Sequence, residues 1–400
     1  MNFHESLLLN QANWKERNSN EGLSGDGGYL LWQAACAPRA LGDCVTVTYF
    51  GQRAFGANVC RPSPRVLADG AKGDQSHMQM SPKMPLVDET PAAISAREQI
   101  WIEGGTFLMG SDKHYPEEAP AHPVKVDGFW IDVTPVTNRQ FAAFVEATGY
   151  VTEAEKTPDP KDYPGALPEM MRAGSVIFDP PKRVTSNSPS QWWSFKFGAD
   201  WRRPYGRQSN IRGKLDHPVV QVSYLDAKAY AAWAGKDLPT EAEWEFAAKG
   251  GLEGAEFAWG DELVPEGRFM ANTWHGMFPT ENLKPDGFER TSPVASFPAN
   301  GHGLYDMIGN TWEWTSDYWS TRHPAPAQKS CCIPANPRGG DREASFDPRQ
   351  PTIHIARRVV KGGSHLCAPN YCRRYRPAAR HAHEENAATT HIGFRCIRRP

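Results

Sequence analysis

The sequence predicts an α+β protein with little regular secondary structure for its length. Two observations carry this. Glycine and proline number 35 and 34 of 400 residues, close to a fifth of the chain, which breaks long helices and strands. Twelve of the 14 tryptophans nevertheless follow residue 100, enough large apolar surface for a substantial core built from loops and short elements.

The formal net charge of -2 gives no general pull toward nucleic acid or an anionic membrane, and no segment holds the roughly 18 uninterrupted apolar residues that span a bilayer. Neither partner is expected. The N-terminus lacks a basic start, an apolar stretch and a small-residue cleavage site, so no secretion is expected. Eight irregularly spaced cysteines make no disulfide framework in so large a chain, and the expected compartment is the reducing cytoplasm. Residues 1–95 are patchy in hydrophobicity, hold Cys36, Cys44 and Cys60 without metal-ligand spacing and end in a Pro-rich linker. They are expected to be a poorly ordered extension, or to precede a true start at Met78, Met80 or Met84. Residues 96–400 are expected to form the main folded domain.

Regular signals begin at QIWIEGGTFLMGSD. Ile100 and Ile102, then Phe107 and Met109, alternate around Gly104-Gly105 and predict a hairpin. Three short amphipathic helices follow. Thr137 and Gln140 begin the first, with Phe141, Phe144 and Val145 on one face and Gly149 as its stop. Ser223 and Asp226 begin the second, with Tyr230 and Trp233 predicted inward and Gly235 ending it. Thr240 and Glu243 form a capping box for the third, closed by Gly250. Beyond Gly251 short strands and loops are expected, with THIGFRCIRR as a closing strand. No repeat of 20 to 50 residues is visible.

Near the C-terminus, KGGSHLCAPNYCRRYRPAAR sets Cys367 and Cys372 five residues apart among arginines. Four readings of the pair are open. A disulfide would close so short a loop that it constrains little, and a reducing compartment opposes it. Structural zinc needs four ligands, for which His365, His381 and His383 are candidates. Two inert buried thiols would sit in an apolar core, unlike Asn370, Tyr371, Arg373 and Arg374. A two-coordinate thiolate site suits Cu(I), and cationic neighbours make thiolates available at neutral pH.

Three segments taken together, LPTEAEWEFAAKGG, NGHGLYDMIGNTWEWTSDYW and KGGSHLCAPNYCRRYRPAAR with HIGFRC, resemble the formylglycine-generating enzymes, or sulfatase-modifying factors, of bacterial type. The resemblance runs from about residue 100 to the end. It implies a fold related to C-type lectins and an O2-dependent oxidation of a cysteine, within a C-x-P-x-R segment of an unfolded or nascent sulfatase, to Cα-formylglycine. It implies that Cys367 and Cys372 hold Cu(I), that Ser364 belongs to the active site, and that Trp312 and Tyr371 wall the substrate pocket. It also implies structural Ca2+ at two sites. One uses Asn272, Asp286 and the carbonyls of Thr273 and Phe288; the other uses Asp306, Glu313 and the carbonyls of Gly309 and Thr311. Oxygen-rich loops of this kind suit hard cations.

Secretory members of the family carry disulfides where this chain has Ala231, Ala248 and Pro377, which leaves Cys396 unpaired and again points to a reduced, cytoplasmic protein. His391 stands where animal members have an asparagine, and Cys331-Cys332 in a Pro-rich insertion have no assigned role. Two rival functions are a non-catalytic lectin-like binding module, which would not need both thiols, and an iron-dependent sulfoxide synthase, whose H-x3-H-x-E pattern does not occur.

Overall fold

The computed structural model describes residues 99–400 apart from residue 187 and residues 325–332. The expectations for residues 1–95 and for Cys331-Cys332 lie outside the described residues.

All three predicted helices form where their caps require. Helix α1 (Asn138–Thr148) starts at a reciprocal Thr137/Gln140 box and stops at Gly149, whose φ of 67° is left-handed. Helix α2 (Tyr224–Trp233) starts at a Ser223/Asp226 box and α3 (Glu241–Lys249) at a Thr240/Glu243 box. One detail differs: Trp233 is 45% exposed, lying against the rings of Phe144 and Tyr230 at the core margin. Tyr224, Ala227, Tyr230 and Ala231 make the buried face of α2, and Trp233 at its end falls outside it.

The strands depart further from expectation. Strand β1 (Gln99–Ile102) does not make a hairpin with β2 (Gly105–Met109). β2 pairs instead with β3 (His122–Val126), and β1 with β4 (Phe129–Asp132), whose other edge takes β11 (Ile397–Arg398). Gly104 explains the break: a side chain there would lie 2.6 Å from the Val126 carbonyl, so the chain crosses tightly from one sheet to the other. The predicted closing strand is likewise divided. Ile392-Gly393 forms β10, parallel to β7 (Trp312–Tyr318), while β11 joins the first sheet. The order of the larger sheet is β10-β7-β8-β9, with β8 at Arg357–Lys361 and β9 at Arg380–Glu384. A separate hairpin joins β5 (Gly174–Phe178) to β6 (Trp193–Phe197).

One apolar cluster links these parts. Phe129, Phe141, Trp244, Trp314 and Phe394 are all fully buried within it, and α3 packs on β7 and β8. Buried charges accompany the core in pairs, as low polarity requires. Glu313 accepts from Arg395 at 2.7 and 2.8 Å, and Lys361 reaches Glu245 at 2.9 Å. These pairs tie α3 and the last strands to β7 and β8, and the loop between β8 and β9 carries the two thiols.

Candidate active site

The thiol loop leaves β8 through Gly362 and Gly363, with φ of +90° and +71°. A Cβ at Gly363 would come within 2.8 Å of the Arg374 carbonyl, so only glycine permits the turn that folds the loop back on itself. The Cys367 amide donates to the Ser364 carbonyl at 2.9 Å, and the Cys372 amide to Ala368 at 2.9 Å. These turns bring the sulfurs of Cys367 and Cys372 to 3.2 Å. That is far beyond a disulfide bond of about 2.05 Å. Among the described residues, Cys367, Cys372 and Cys396 are free thiols.

The two thiols differ in environment. Cys367 is 2% exposed and belongs to the apolar cluster, and burial pushes its pKa well up. The expectation that polar neighbours exclude core-like burial therefore fails for Cys367. Cys372 sits higher in the site. A hydrogen bond from Cys367 lowers its pKa, outweighing burial, and the Arg374 guanidinium adds to the effect, giving about 6. At neutral pH Cys372 is thus the thiolate and Cys367 the proton donor to it.

Arg374 is held in turn by residues some 257 positions earlier. Its Nη2 and Nε meet Glu117 at 2.5 and 3.2 Å, and its guanidinium lies 3.9 Å from the Tyr115 ring centroid. The Tyr115 hydroxyl accepts from the Arg373 amide at 3.1 Å. Sequence spacing gave no signal for this clamp, because its parts meet only in the folded chain.

A cavity of about 230 Å³ opens over the thiols. Ser364, Trp312 and Tyr371 line it, as do three imidazoles, His381, His383 and His391. Trp312 is 4% exposed and packs beside His381 with ring centroids 5.9 Å apart, so it is both core and cavity wall. The Ser364 hydroxyl accepts from the Leu366 amide at 3.2 Å, and its own amide donates to the Cys367 sulfur at 3.4 Å. It therefore shapes the turn and faces the cavity together. His381 is exposed and His383 and His391 are half-buried, and desolvation lowers the pKa of all three, that of His383 to about 3. All three are neutral at pH 7. Val176 and Trp193 of the β5–β6 hairpin complete the wall, which the sequence did not reveal. Cavities of about 250 and 290 Å³ elsewhere contain no thiol.

No three His, Cys, Asp or Glu side chains converge on a metal position among the described residues, so the thiol pair gains no third or fourth ligand for structural zinc there. His365 instead points its Nδ1 to the Asn310 carbonyl at 2.8 Å. Two soft sulfurs, one of them anionic, do fit a soft monovalent ion of low coordination number.

The oxygen-rich loops lie directly against the thiol loop. The Trp274 amide donates to the Cys367 carbonyl at 3.0 Å, the Gly309 amide to Gly362 at 3.0 Å, and the Asn310 amide to Asn272 at 2.9 Å. In the first loop, Asp286 Oδ2 is buried and has no hydrogen-bond partner, while His275 stands 3.7 Å away and burial raises the Asp286 pKa. An unpaired buried carboxylate oxygen on a group that meets the Thr273 and Phe288 backbone is what a hard cation would satisfy. In the second loop, Asp306 accepts from the Ala295 amide at 2.7 Å, and burial raises its pKa to about 6. Glu313 there is already bound by Arg395 and by Trp244 Nε1 at 2.8 Å, so a cation would share that carboxylate. The first set fits a cation better than the second.

The profile of the Sulfatase-modifying factor enzyme 1-like domain matches residues 83–400. The chain is 51% identical over 305 residues to the formylglycine-generating enzyme of Mycobacterium tuberculosis, covering 76% of this chain and 98% of that protein. It is 39% identical over 340 residues to the mouse formylglycine-generating enzyme, covering 84% of each. It is also 44% identical over 237 residues to the mouse inactive C-alpha-formylglycine-generating enzyme 2, covering 56% of this chain and 70% of that one. Similarity at this level spans proteins named formylglycine-generating enzymes and one named as inactive.

Proposed function

The chain belongs to the sulfatase-modifying factor enzyme 1-like family, and from that premise we propose that it converts a cysteine in the C-x-P-x-R segment of a sulfatase to Cα-formylglycine, using O2. The observation that carries this is the pair of free sulfurs 3.2 Å apart at the floor of an open cavity. A lectin-like binding module needs neither the pair nor its Arg374 clamp.

Cys367 and Cys372 are the residues that would hold Cu(I), with Cys372 supplying a thiolate and Cys367 giving up its proton as the ion binds. Bound there, a soft monovalent ion supplies the activation of O2. The cavity residues of this chain do the rest. Trp312 and Tyr371 exclude water from the reacting sulfur, and Ser364 offers a hydroxyl next to it. Neutral His391 turns its Nδ1 to the Thr389 hydroxyl at 3.1 Å, which leaves Nε2 for a peptide backbone. Atom balance sets a further requirement. Turning the thiol-bearing methylene of cysteine into an aldehyde with O2 releases hydrogen sulfide and water and consumes two protons and two electrons, so a thiol reductant must be present.

Asn272, Asp286 and the Thr273 and Phe288 carbonyls would hold Ca2+, and Asp306, Glu313 and the Gly309 and Thr311 carbonyls a second Ca2+. Their hydrogen bonds to the thiol loop would make the cations structural supports of the site. Three free cysteines among the described residues suit a reducing cytoplasm.

The test is incubation of the copper-loaded, reduced protein with a C-x-P-x-R peptide in air, and without O2, followed by mass spectrometry of the hydrazine-trapped product. Aldehyde formed only in air supports the proposal. A loaded, reduced protein yielding no aldehyde would overturn it and favour a binding module.

A further inference from the structure

The inference here rests on the preceding proposal that the thiol site acts on a cysteine within a polypeptide. A cavity of about 230 Å³ accommodates that cysteine and little more, so the flanking residues must leave across its rim. Part of the rim is Tyr371, which lines the cavity and stacks on Phe278 with ring centroids 4.1 Å apart and planes 8° from parallel. Phe278 belongs to the loop 275–283. That loop is closed on itself, because the Leu283 amide donates to the His275 carbonyl at 2.6 Å and the Glu281 amide to Met277 at 2.8 Å.

The loop turns apolar side chains outward. Met277 is 60% and Leu283 64% exposed, the two most exposed large hydrophobic side chains among the described residues. Asn370, next to Tyr371, donates its side-chain amide to the Met277 sulfur at 3.2 Å, joining the loop to the thiol loop. Scattered exposed apolar residues are ordinary. Met277 is instead joined to the thiol loop through Asn370, and Leu283 closes the same loop, which Phe278 stacks on the cavity-lining Tyr371 and the Trp274–Cys367 hydrogen bond braces from below. An unfolded polypeptide brings apolar side chains that a folded partner would hide, and methionine adapts to many of them.

We propose that Met277, Leu283 and Tyr371 form an apolar shelf that binds the stretch of unfolded substrate polypeptide on one side of the reacting cysteine. The shelf prefers an apolar side chain there over a polar one. It adds affinity without touching the reacting sulfur, so its effect falls on KM.

The experiment uses the full, copper-loaded chain and three peptides: the bare C-x-P-x-R motif, and the motif extended at either end by five residues containing leucine or, in their place, serine. The leucine extension on one side is expected to lower KM about five- to tenfold relative to serine. In Met277→Ser and Leu283→Ser that leucine advantage is expected to shrink toward one. Equal KM values for leucine and serine extensions in the unaltered protein would overturn the shelf. So would an undiminished leucine advantage in both variants, with a lowered melting temperature then assigning the patch to a contact within this chain. If no peptide gives aldehyde, the catalytic proposal falls on its own. Fluorescence anisotropy of the same peptides then decides the shelf, and equal affinity for leucine and serine extensions overturns it.

Discussion

The guanidinium of Arg374 lies between the carboxylate of Glu117, 2.5 Å from its Nη2, and the sulfur of Cys372, 3.9 Å from its Nη1. A strap from the start of the domain thereby sets the charge at the thiol site. Arg374→Gln removes a positive charge from beside Cys372 and is expected to raise that thiol's pKa from about 6. Alkylation of the metal-free protein at pH 6 should slow about three- to tenfold and recover above pH 8. Glu117→Gln leaves the charge in place and should slow alkylation less. Equal slowing in both variants would mean that the clamp acts only on loop shape.

Cation binding and proton binding compete at the oxygen-rich loops. Burial raises the carboxyl pKa of Asp286 and takes that of Asp306 to about 6, so both bind protons at a higher pH than free carboxylates do. A cation needs them deprotonated, and its affinity must therefore fall as pH drops through about 6. Millimolar Ca2+ is expected to raise the melting temperature at pH 7.5 and to do so much less at pH 5. Asp286→Asn should abolish most of the increase. An equal Ca2+ effect at both pH values would contradict the assignment.

Lys361 is fully buried between Glu245, 2.9 Å away, and Glu241, 3.6 Å away. Lys361→Met strands buried negative charge and is expected to cost about 3–5 kcal/mol in urea denaturation. Pairing it with Glu245→Gln should recover much of the loss, since Glu241 keeps Arg380 at 2.7 Å. Burial pushes the Glu241 pKa up, but Arg380 and Lys361 outweigh it and bring it to about 2. Its contribution is therefore complete above the ordinary carboxylate pKa and lost as pH falls from about 4.5 toward 2. A Lys361→Met variant losing under about 1 kcal/mol would show that the cluster relaxes or hydrates.

The helices were legible because each begins with a side chain that caps its own backbone three residues away, as Thr137, Ser223 and Thr240 do. Strand pairing was not. Ile131 lies opposite Ile100 on one edge and Ile397 on the other, and no local pattern records a partner 266 residues on. The site divides in the same way. Cys367, Cys372 and Ser364 stand out in sequence because one short loop carries them. The Glu117 and Tyr115 clamp, the β5–β6 wall and the burial of Cys367 depend on distant parts of the chain meeting. Within a helix that the sequence predicts, Trp233 is exposed, because periodicity does not show where along a helix the core ends.

X-ray absorption at the copper edge, on reduced protein loaded with one equivalent of Cu(I), tests most directly whether the thiol pair is a metal site. One tightly held ion with two sulfur ligands is expected, lost in both Cys367→Ser and Cys372→Ser while the far-ultraviolet circular dichroism is unchanged. An ion retained unaltered in either variant, or one ligated mainly by nitrogen and oxygen, would contradict a metal site at the thiol pair.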